Sequence, residues 1–408
     1  MTQLSDSEAV RNDPPTADEV AVVDPSLKPL EATLLVMLAS MPLEQLKESL
    51  GHLKNSFPST TFLVATPSDG ALTPDLLHSV ISIASPNSSW PLSGASFVRA
   101  WEIAEEKNVR AILILGPDSG PQISDGLCHL ASVVLDLDTD LAMPCYDLPT
   151  HAGLVNSAIL FPLTRTLFAS GSRFPLAIDM GLSRRMAERL ATIAKAKGGN
   201  LGDTLLWPVN EASVGGFTIS ESNVGRRILP HPRETDFNSV FAQVIGSLFA
   251  DVESKAAFWQ RPRRVPSPRH LRDDLQDTEG TSDTVRMIEA FRLANTNLQE
   301  IWSLVLSPNS LVGLKRLSTL APNDFRMPES LWSRIVYDFL IAYKLRAINR
   351  GHLFGALIPI YLAWVAGHIN VTLSGANAEH HIEAVAAAFE ADKPYLVSRW
   401  RWPDRFNP

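Results

Sequence analysis

An α/β domain followed by a helical one is what this sequence predicts, and three observations predict it. Between residues 34 and 141, short continuous apolar runs alternate with amphipathic segments. At 260–283 the chain crowds Arg261, Pro262, Arg263, Arg264, Pro266 and Pro268 ahead of an acidic stretch almost empty of large apolar side chains. Beyond it, apolar residues recur only at helical spacing. Fully apolar strands separated by helices imply a parallel sheet covered on both faces, since a strand with water on one side would alternate instead.

Each element has its own signal. Leu34–Leu38 reads as a first strand, Leu43–Leu53 as an amphipathic helix, and Thr61–Ala65 as a second strand. Phe97–Lys107 is expected to be helical, Ala111–Leu115 a third strand, and Ala131–Leu135 a further buried apolar run. The stretch at 260–283 is a linker by composition. After it, Ile288, Phe291, Leu298, Ile301, Trp302 and Val305 share one helical face, and Leu331, Trp332, Ile335, Val336, Phe339 and Tyr343 share another. Pro328 and Ser330 stand where that second helix should start. Four parts follow: a disordered acidic tail at 1–30, an α/β domain at 31–259, the linker, and a helical domain at 284–408.

The chain has 408 residues with a formal net charge of -8, an acidic balance that argues against general binding of nucleic acid or anionic membranes. Its two cysteines, Cys128 and Cys145, exclude a cysteine-built zinc site and a disulfide framework. The N-terminal region carries Asp6, Glu8, Asp13, Asp18, Glu19 and Asp24, the opposite of a basic, apolar leader, so a cytoplasmic protein is expected. Leu353–Ile369 is uncharged but short for a membrane span, broken by Pro359 and bracketed by His352 and His368. A buried helix is the expectation there. His380 and His381 are adjacent in a polar and alanine-rich helix and read as a solvated face.

Phosphate loops of the Gly-x-x-x-x-Gly-Lys type, Gly-x-Gly-x-x-Gly turns, Gly-x-Ser-x-Gly elbows and His-Glu-x-x-His helices are all absent from the sequence. Carboxylates near strand ends remain, and ligands of such sheets bind at the carboxyl ends of strands. Asp69 follows the second strand and Asp118 the third. Asp136, Asp138 and Asp140 follow the apolar run at Ala131–Leu135. Paired aspartates at a strand end can hold a hard divalent cation against a diphosphate. Asp69 and Asp118 also lie in Pro-Ser-Asp-Gly and Gly-Pro-Asp-Ser-Gly, where an aspartate serves equally as a plain turn residue.

Two longer segments carry a resemblance. Val155-Asn-Ser-Ala-Ile-Leu-Phe-Pro-Leu-Thr-Arg165 and Ile178-Asp-Met-Gly-Leu-Ser183 resemble the central part of family 2 glycosyltransferases, in the subgroup of mannosylglycerate and glucosylglycerate synthases. The similarity continues through Phe241–Phe249, Leu331–Phe339, Asn349–Leu353 and Lys393–Leu396, and so spans most of the chain after the tail. The resemblance implies a GT-A nucleotide-sugar-binding domain, Rossmann-like, with a helical C-terminal domain. It further implies transfer of a sugar from a nucleoside-diphosphate donor to a small, glycerate-like hydroxy-acid acceptor, with Mg²⁺ or Mn²⁺ as cofactor. No nucleic-acid partner is implied, and a homo-oligomer is compatible with it.

Carried over residue by residue, the resemblance makes Asp179 the catalytic or acceptor-contacting acid, with a cap for the helix near Ser183 as its plain alternative. Asp118 becomes a donor contact and, with His231, a metal ligand, a rigid surface loop between Pro230 and Pro232 being the plain alternative for His231. Beside the resemblance, the position of Asp69 after the second strand suits a donor contact to base or ribose, and Arg165 suits one to a carboxylate or phosphate as a bidentate fork. An ordinary salt bridge is the alternative for Arg165, and core packing the reading of Trp207. The family's motifs are eroded at four places. Gly116 replaces the first acid of the Asp-x-Asp clamp, and Leu205 the acid of Asp-Ile-Trp. Leu229 falls at the metal-binding histidine, with His231 nearby, and Leu92 or Ser93 stands where a loop lysine would face phosphate. Asp138 and Asp140 are candidates for a displaced clamp. Each lost charge-assisted contact would cost about 2–3 kcal/mol of leaving-group stabilisation. A catalytically impaired relative with a regulatory or scaffolding role is therefore the alternative to an active transferase.

Overall fold

Among the described residues, seven strands form one mixed sheet in the spatial order Val80–Ile83, Phe62–Pro67, Leu34–Leu38, Ala111–Leu115, Asp179–Ser183, Leu141–Asp147, Ile219–Arg226. The computed structural model describes residues 33–39, 41–67, 80–83, 92–116, 124–227, 237–261 and 283–403. In chain order the elements are β1 (Leu34–Leu38), α1 (Leu43–Ser56), β2 (Phe62–Pro67), β3 (Val80–Ile83), α2 (Gly94–Glu106), β4 (Ala111–Leu115), α3 (Asp125–Asp136), β5 (Leu141–Asp147), α4 (Phe161–Phe168) and β6 (Asp179–Ser183). There follow α5 (Arg184–Lys197), α6 (Pro208–Gly215), β7 (Ile219–Arg226), α7 (Phe237–Ser254), α8 (Ala256–Trp259), α9 (Thr284–Asn297), α10 (Gln299–Val305), α11 (Pro308–Ser318), α12 (Glu329–Leu345), α13 (Arg350–Leu373) and α14 (Ala378–Arg401).

The α/β class holds, and the expected all-parallel sheet does not. β1, β2, β3 and β4 pair in parallel, as do β5 and β7, but β6 runs antiparallel to both β4 and β5. β1 (LLVML) and β4 (AILIL) are buried at every position, as strands covered on both faces must be. Reversal of β6 has one consequence for function. Its first residue, Asp179, pairs with Leu115 at the carboxyl end of β4, and its last, Ser183, pairs with Ala111 at the amino end. Gly181 lies between them because a Cβ there would run into the Leu130 carbonyl of α3.

Several local expectations change. The run Ala131–Leu135 belongs to α3, a helix capped by Ser124 and packed against β4, β5, β6 and β7, so its apolar character reflects burial rather than strand geometry. Ala111–Leu115 is the fourth strand, because Val80–Ile83 precedes it as a partly exposed edge strand. The face from Ile288 to Val305 is divided at Leu298 between α9 and α10. No side chain caps α12, and Ser330 lies inside it. His381 is buried while His380 is exposed.

Sheet and C-terminal helices belong to one unit running from Glu31 to Pro408. Of the 260–283 linker, residues 262–282 lie outside the described residues. α14 packs on α4 and α12, and α13 on α7 and α9. α13, which carries Pro359 inside it, is apolar and long enough to cross a membrane, yet two thirds of its most apolar stretch is buried within the protein. The indole N–H groups of Trp332 and Trp302 bond the Ala158 and Ala356 carbonyls at 2.7 and 2.9 Å. The Trp332 bond crosses between the two regions at Asn156–Leu160, a wider helical turn leading into α4.

Candidate functional site

Carboxyl ends of β4, β5 and β7 meet at one edge of the sheet, and the reversed β6 delivers its first residue to the same place. Asp179 is fully buried there and its carboxylate accepts four hydrogen bonds. Arg227 supplies two as a fork, Nε to Oδ2 at 3.0 Å and Nη2 to Oδ1 at 2.8 Å. The Gly116 amide donates to Oδ1 at 3.1 Å, and the Tyr146 hydroxyl to Oδ2 at 3.1 Å. Arg227 Nη2 also reaches the Gly116 carbonyl at 3.3 Å.

Local sequence explains how these groups converge. Tyr146 sits beside a bulge: the register of β5 on β7 slips between Cys145 and Tyr146, and Gly225 opposite takes φ +78°. A bulge re-aims the side chain that follows it. It also leaves Tyr146 oxygen able to accept the Ile178 and Asp179 amides at 3.1 and 3.2 Å. With its lone pairs so engaged, the phenol must donate to Asp179. Arg227 follows β7 directly, so the end of that strand fixes the guanidinium beside β6.

Burial raises the Asp179 carboxyl above its ordinary value, and Arg227, the Gly116 amide and Tyr146 pull against that rise. Burial, reinforced by Asp179, also pushes the Tyr146 phenol well above its usual range. Asp179 therefore has no lone-pair position left for a substrate proton while Arg227 is in place. Its chemical role in this arrangement is to hold a guanidinium, only 7% exposed, at the strand ends. A guanidinium in such a place can neutralise a carboxylate or a phosphate.

Of the residues expected from sequence, Asp179 is at this edge, together with Gly116. Asp69, Asp118 and His231 lie outside the described residues. Arg165 is buried in α4, where Nε bonds Glu390 at 2.7 Å and Nη1 bonds Glu383 at 2.5 Å, both carboxylates of α14. Its described ion-pair partners are those of the salt-bridge reading. Trp207 is core, as expected. Leu205 and Ser93, two positions where the family motifs are eroded, form an isolated antiparallel bridge with each other. The Gly94 amide bonds the Thr204 carbonyl beside it at 2.7 Å.

Asp138 and Asp140 cannot form a displaced clamp at this edge, because they precede β5 and so lie at the opposite end of the sheet. Asp140 bonds Ser183, Thr218 and Arg185 there. A cleft of about 590 Å³ opens at that amino edge, lined by Arg110, Asp138, Asp140 and Arg184 among others. Among the described residues, no group of three or more histidines, cysteines or acids is arranged to hold a metal. A divalent ion does not fit Asp179 either, since it would have to displace Arg227. Sequence reasoning missed Arg227 and Tyr146. The adjacent pair Arg226 and Arg227 was the available signal for the first, but Ile219–Arg226 has apolar side chains only at Ile219 and Val224 and so carries no strand pattern.

No protein-family model matches the chain, and no curated protein does. Solved structures are similar over part of it. One is a glucosyl-3-phosphoglycerate synthase from Mycobacterium tuberculosis in complex with Mn²⁺, UDP-glucose and phosphoglyceric acid, 14% identical, with 60% of this chain and 84% of that chain covered at a TM-score of 0.34. Another is a mannosyl-3-phosphoglycerate synthase from Rubrobacter xylanophilus, 15% identical, with 62% and 85% covered at a TM-score of 0.36.

Proposed function

We propose that this chain is a glycosyltransferase of the GT-A type, working in the cytoplasm. It would bind a nucleoside-diphosphate sugar at the carboxyl edge of the sheet and transfer the sugar to a small, glycerate-like hydroxy acid. The observation that carries the proposal is the Arg227 guanidinium, fixed by Asp179 where the ends of β4, β5 and β7 converge. Open α/β sheets take their ligands at that edge. The segment Ile178–Ser183, on which the family resemblance rests, is the strand that brings Asp179 there.

In the transfer, the bond from the anomeric carbon to the donor phosphate oxygen breaks and a bond to the acceptor hydroxyl oxygen forms. The acceptor's hydroxyl proton passes to the phosphate oxygen that leaves the sugar, while negative charge develops on the departing diphosphate. Arg227 would stabilise that charge, and a preoriented guanidinium avoids reorganisation as the charge develops. Asp179 acts through Arg227 as a positioning residue. The resemblance also calls for a divalent ion at Asp118 and His231, and the metal arm of the experiment below tests it.

A second reading, a catalytically impaired relative that binds a nucleotide and regulates or scaffolds, is favoured by the complete engagement of Asp179 and by Gly116, Leu205 and Ser93. Thermal-shift titrations with UDP, GDP and ADP sugars, each with Mn²⁺ and with chelator, separate the two. A ligand at a hundred times its Kd adds about 2.7 kcal/mol, a visible rise in Tm. Binding that is lost in Arg227→Met, together with transfer to glycerate or phosphoglycerate, supports the transferase. Binding without transfer supports the second reading. No shift with any donor overturns both.

A further inference from the structure

A second cluster of titratable groups lies in the helical region. His368 of α13 and His381 of α14 face each other Nδ1 to Nδ1 at 2.7 Å, with ring centroids 5.0 Å apart and planes 18° from parallel. Trp364, one turn before His368, lies parallel to both rings at 5.2 and 6.0 Å. His151, in the segment leaving β5, turns its ring edge-on to His368 at 6.3 Å and bonds Thr372 of α13 at 2.9 Å. Two helices and the chain leaving the sheet thus meet on one pair of imidazoles.

A nitrogen-to-nitrogen hydrogen bond has room for one proton, so one Nδ1 of the pair donates and the other must stay unprotonated. The Thr150 backbone, in the segment leaving β5, also bonds the His368 imidazole, and His381 Nε2 is buried beside Glu329. Charged groups face the pair from each neighbouring element. Glu329 at the start of α12 lies 3.5 Å from His381 Nε2 and is paired with Arg326 at 2.6 Å. Arg173, from the segment before β6, acts on His368 and is paired with Glu379 of α14 at 3.0 Å. His151 acts on it as well. Glu329 favours a proton on His381 and Arg326 opposes it, and burial outweighs the Glu329 pull. Burial, then the His381, His151 and Arg173 charges, hold His368 down to about 3, and burial lowers His381 and His151 also.

We propose that the His368–His381 pair is an acid-released latch: neutral, it joins α13 and α14 beside the segment that leaves β5, and protonated, it drives them apart. The proposal is independent of the reading of the sheet edge. Histidines of the unfolded chain take protons near pH 6.5, whereas the folded pair resists them until lower pH. Below about 6.5 the unfolded chain therefore binds more protons, and stability falls as the pH falls. Between pH 7.5 and 5.5 His368, held far below its unfolded value, should raise the unfolding constant roughly tenfold, and His381 should add to that in the same direction.

Urea unfolding of the full chain at those two pH values, compared with the double variant His368→Asn/His381→Asn, tests the latch. Asparagine keeps a neutral hydrogen-bonding group near the Nδ1 position and does not titrate. The wild type should lose roughly tenfold or more in its folding equilibrium relative to the variant on acidification. Amide hydrogen exchange across residues 148–153 should accelerate in the wild type alone. Equal pH dependence in the two proteins overturns the proposal. Should the variant not fold, carbon-13 NMR of the wild-type histidine rings decides. Two rings that stay neutral below pH 5.5 support the latch, and ordinary titration of both near 6.5 overturns it.

Discussion

Both ends of β6 are tied by a buried aspartate and an arginine, and the two ties behave differently. At the carboxyl edge Asp179, the first residue of the strand, is gripped by an arginine almost wholly out of solvent. At the amino edge Asp140 accepts from Ser183, the last residue of the strand, and from Thr218 and Arg185, an arginine 66% exposed. Burial alone would raise Asp140. The hydrogen bonds of Arg185, Thr218 and Ser183 outweigh it and hold the carboxyl down to about 2. At Asp179 burial prevails and the carboxyl is raised. What separates the two ends is how completely the carboxylate and its arginine are withdrawn from water. An exposed guanidinium leaves a local tie made of hydrogen bonds, whereas a buried one commits a charged pair to the interior at a desolvation cost that its hydrogen bonds must offset.

The largest expected effect comes from breaking the buried pair. Arg227→Met should leave Asp179 unpaired and destabilise the fold by about 3–5 kcal/mol, read from urea midpoints. A loss below about 1 kcal/mol would erase the distinction between the ends. Asp179→Asn keeps the shape but removes the charge, and should cost about 1.5–3 kcal/mol through the weakened bonds to Arg227. Nucleotide binding should weaken with it, while Asp140→Asn leaves binding unchanged; equal effects on binding would contradict the functional asymmetry.

Asp140→Asn should itself cost about 1–2 kcal/mol at neutral pH. Its acid dependence has a definite sign. A carboxyl held near 2 when folded and near 3.8 when unfolded stabilises the fold above about 3.8, and that contribution is lost as the pH falls toward 2. The raised Asp179 works the other way, taking up its proton more readily folded than unfolded, so acidification favours the fold at that end. Acid unfolding of the two asparagine variants, followed by circular dichroism, should shift in opposite directions. Arg185→Ala should give the smallest change, since its guanidinium stands in water and the serine and threonine bonds to Asp140 persist.

How far the sequence could be read depended on burial. β1, β2 and β4 were legible because strands covered on both faces need unbroken apolar runs, and LLVML and AILIL supply them. Val80–Ile83 was not, since an edge strand with exposed positions carries no such run. The run at Ala131–Leu135 misled for the complementary reason: a helix packed between sheet and neighbours is apolar at consecutive positions too. Asp179 was found through a resemblance, but its partners Tyr146 and Arg227 lie 33 and 48 residues away along the chain, separations at which no local spacing rule operates. The adjacent His380 and His381 looked alike in sequence, and helix phase placed one in water and the other in the core.

The sequence by itself determined the α/β class, the central strands, the helical C-terminal region and the burial of the apolar stretch around Pro359. Those follow from periodicity and local composition, which each segment carries within itself. Only the tertiary structure decided that β6 runs backwards, that Asp179 serves Arg227, that Arg165 binds α14, and that two histidines share a hydrogen bond. Strand direction and side-chain pairing depend on which distant segments meet, and the free energy that selects them exists only once the core has closed around them.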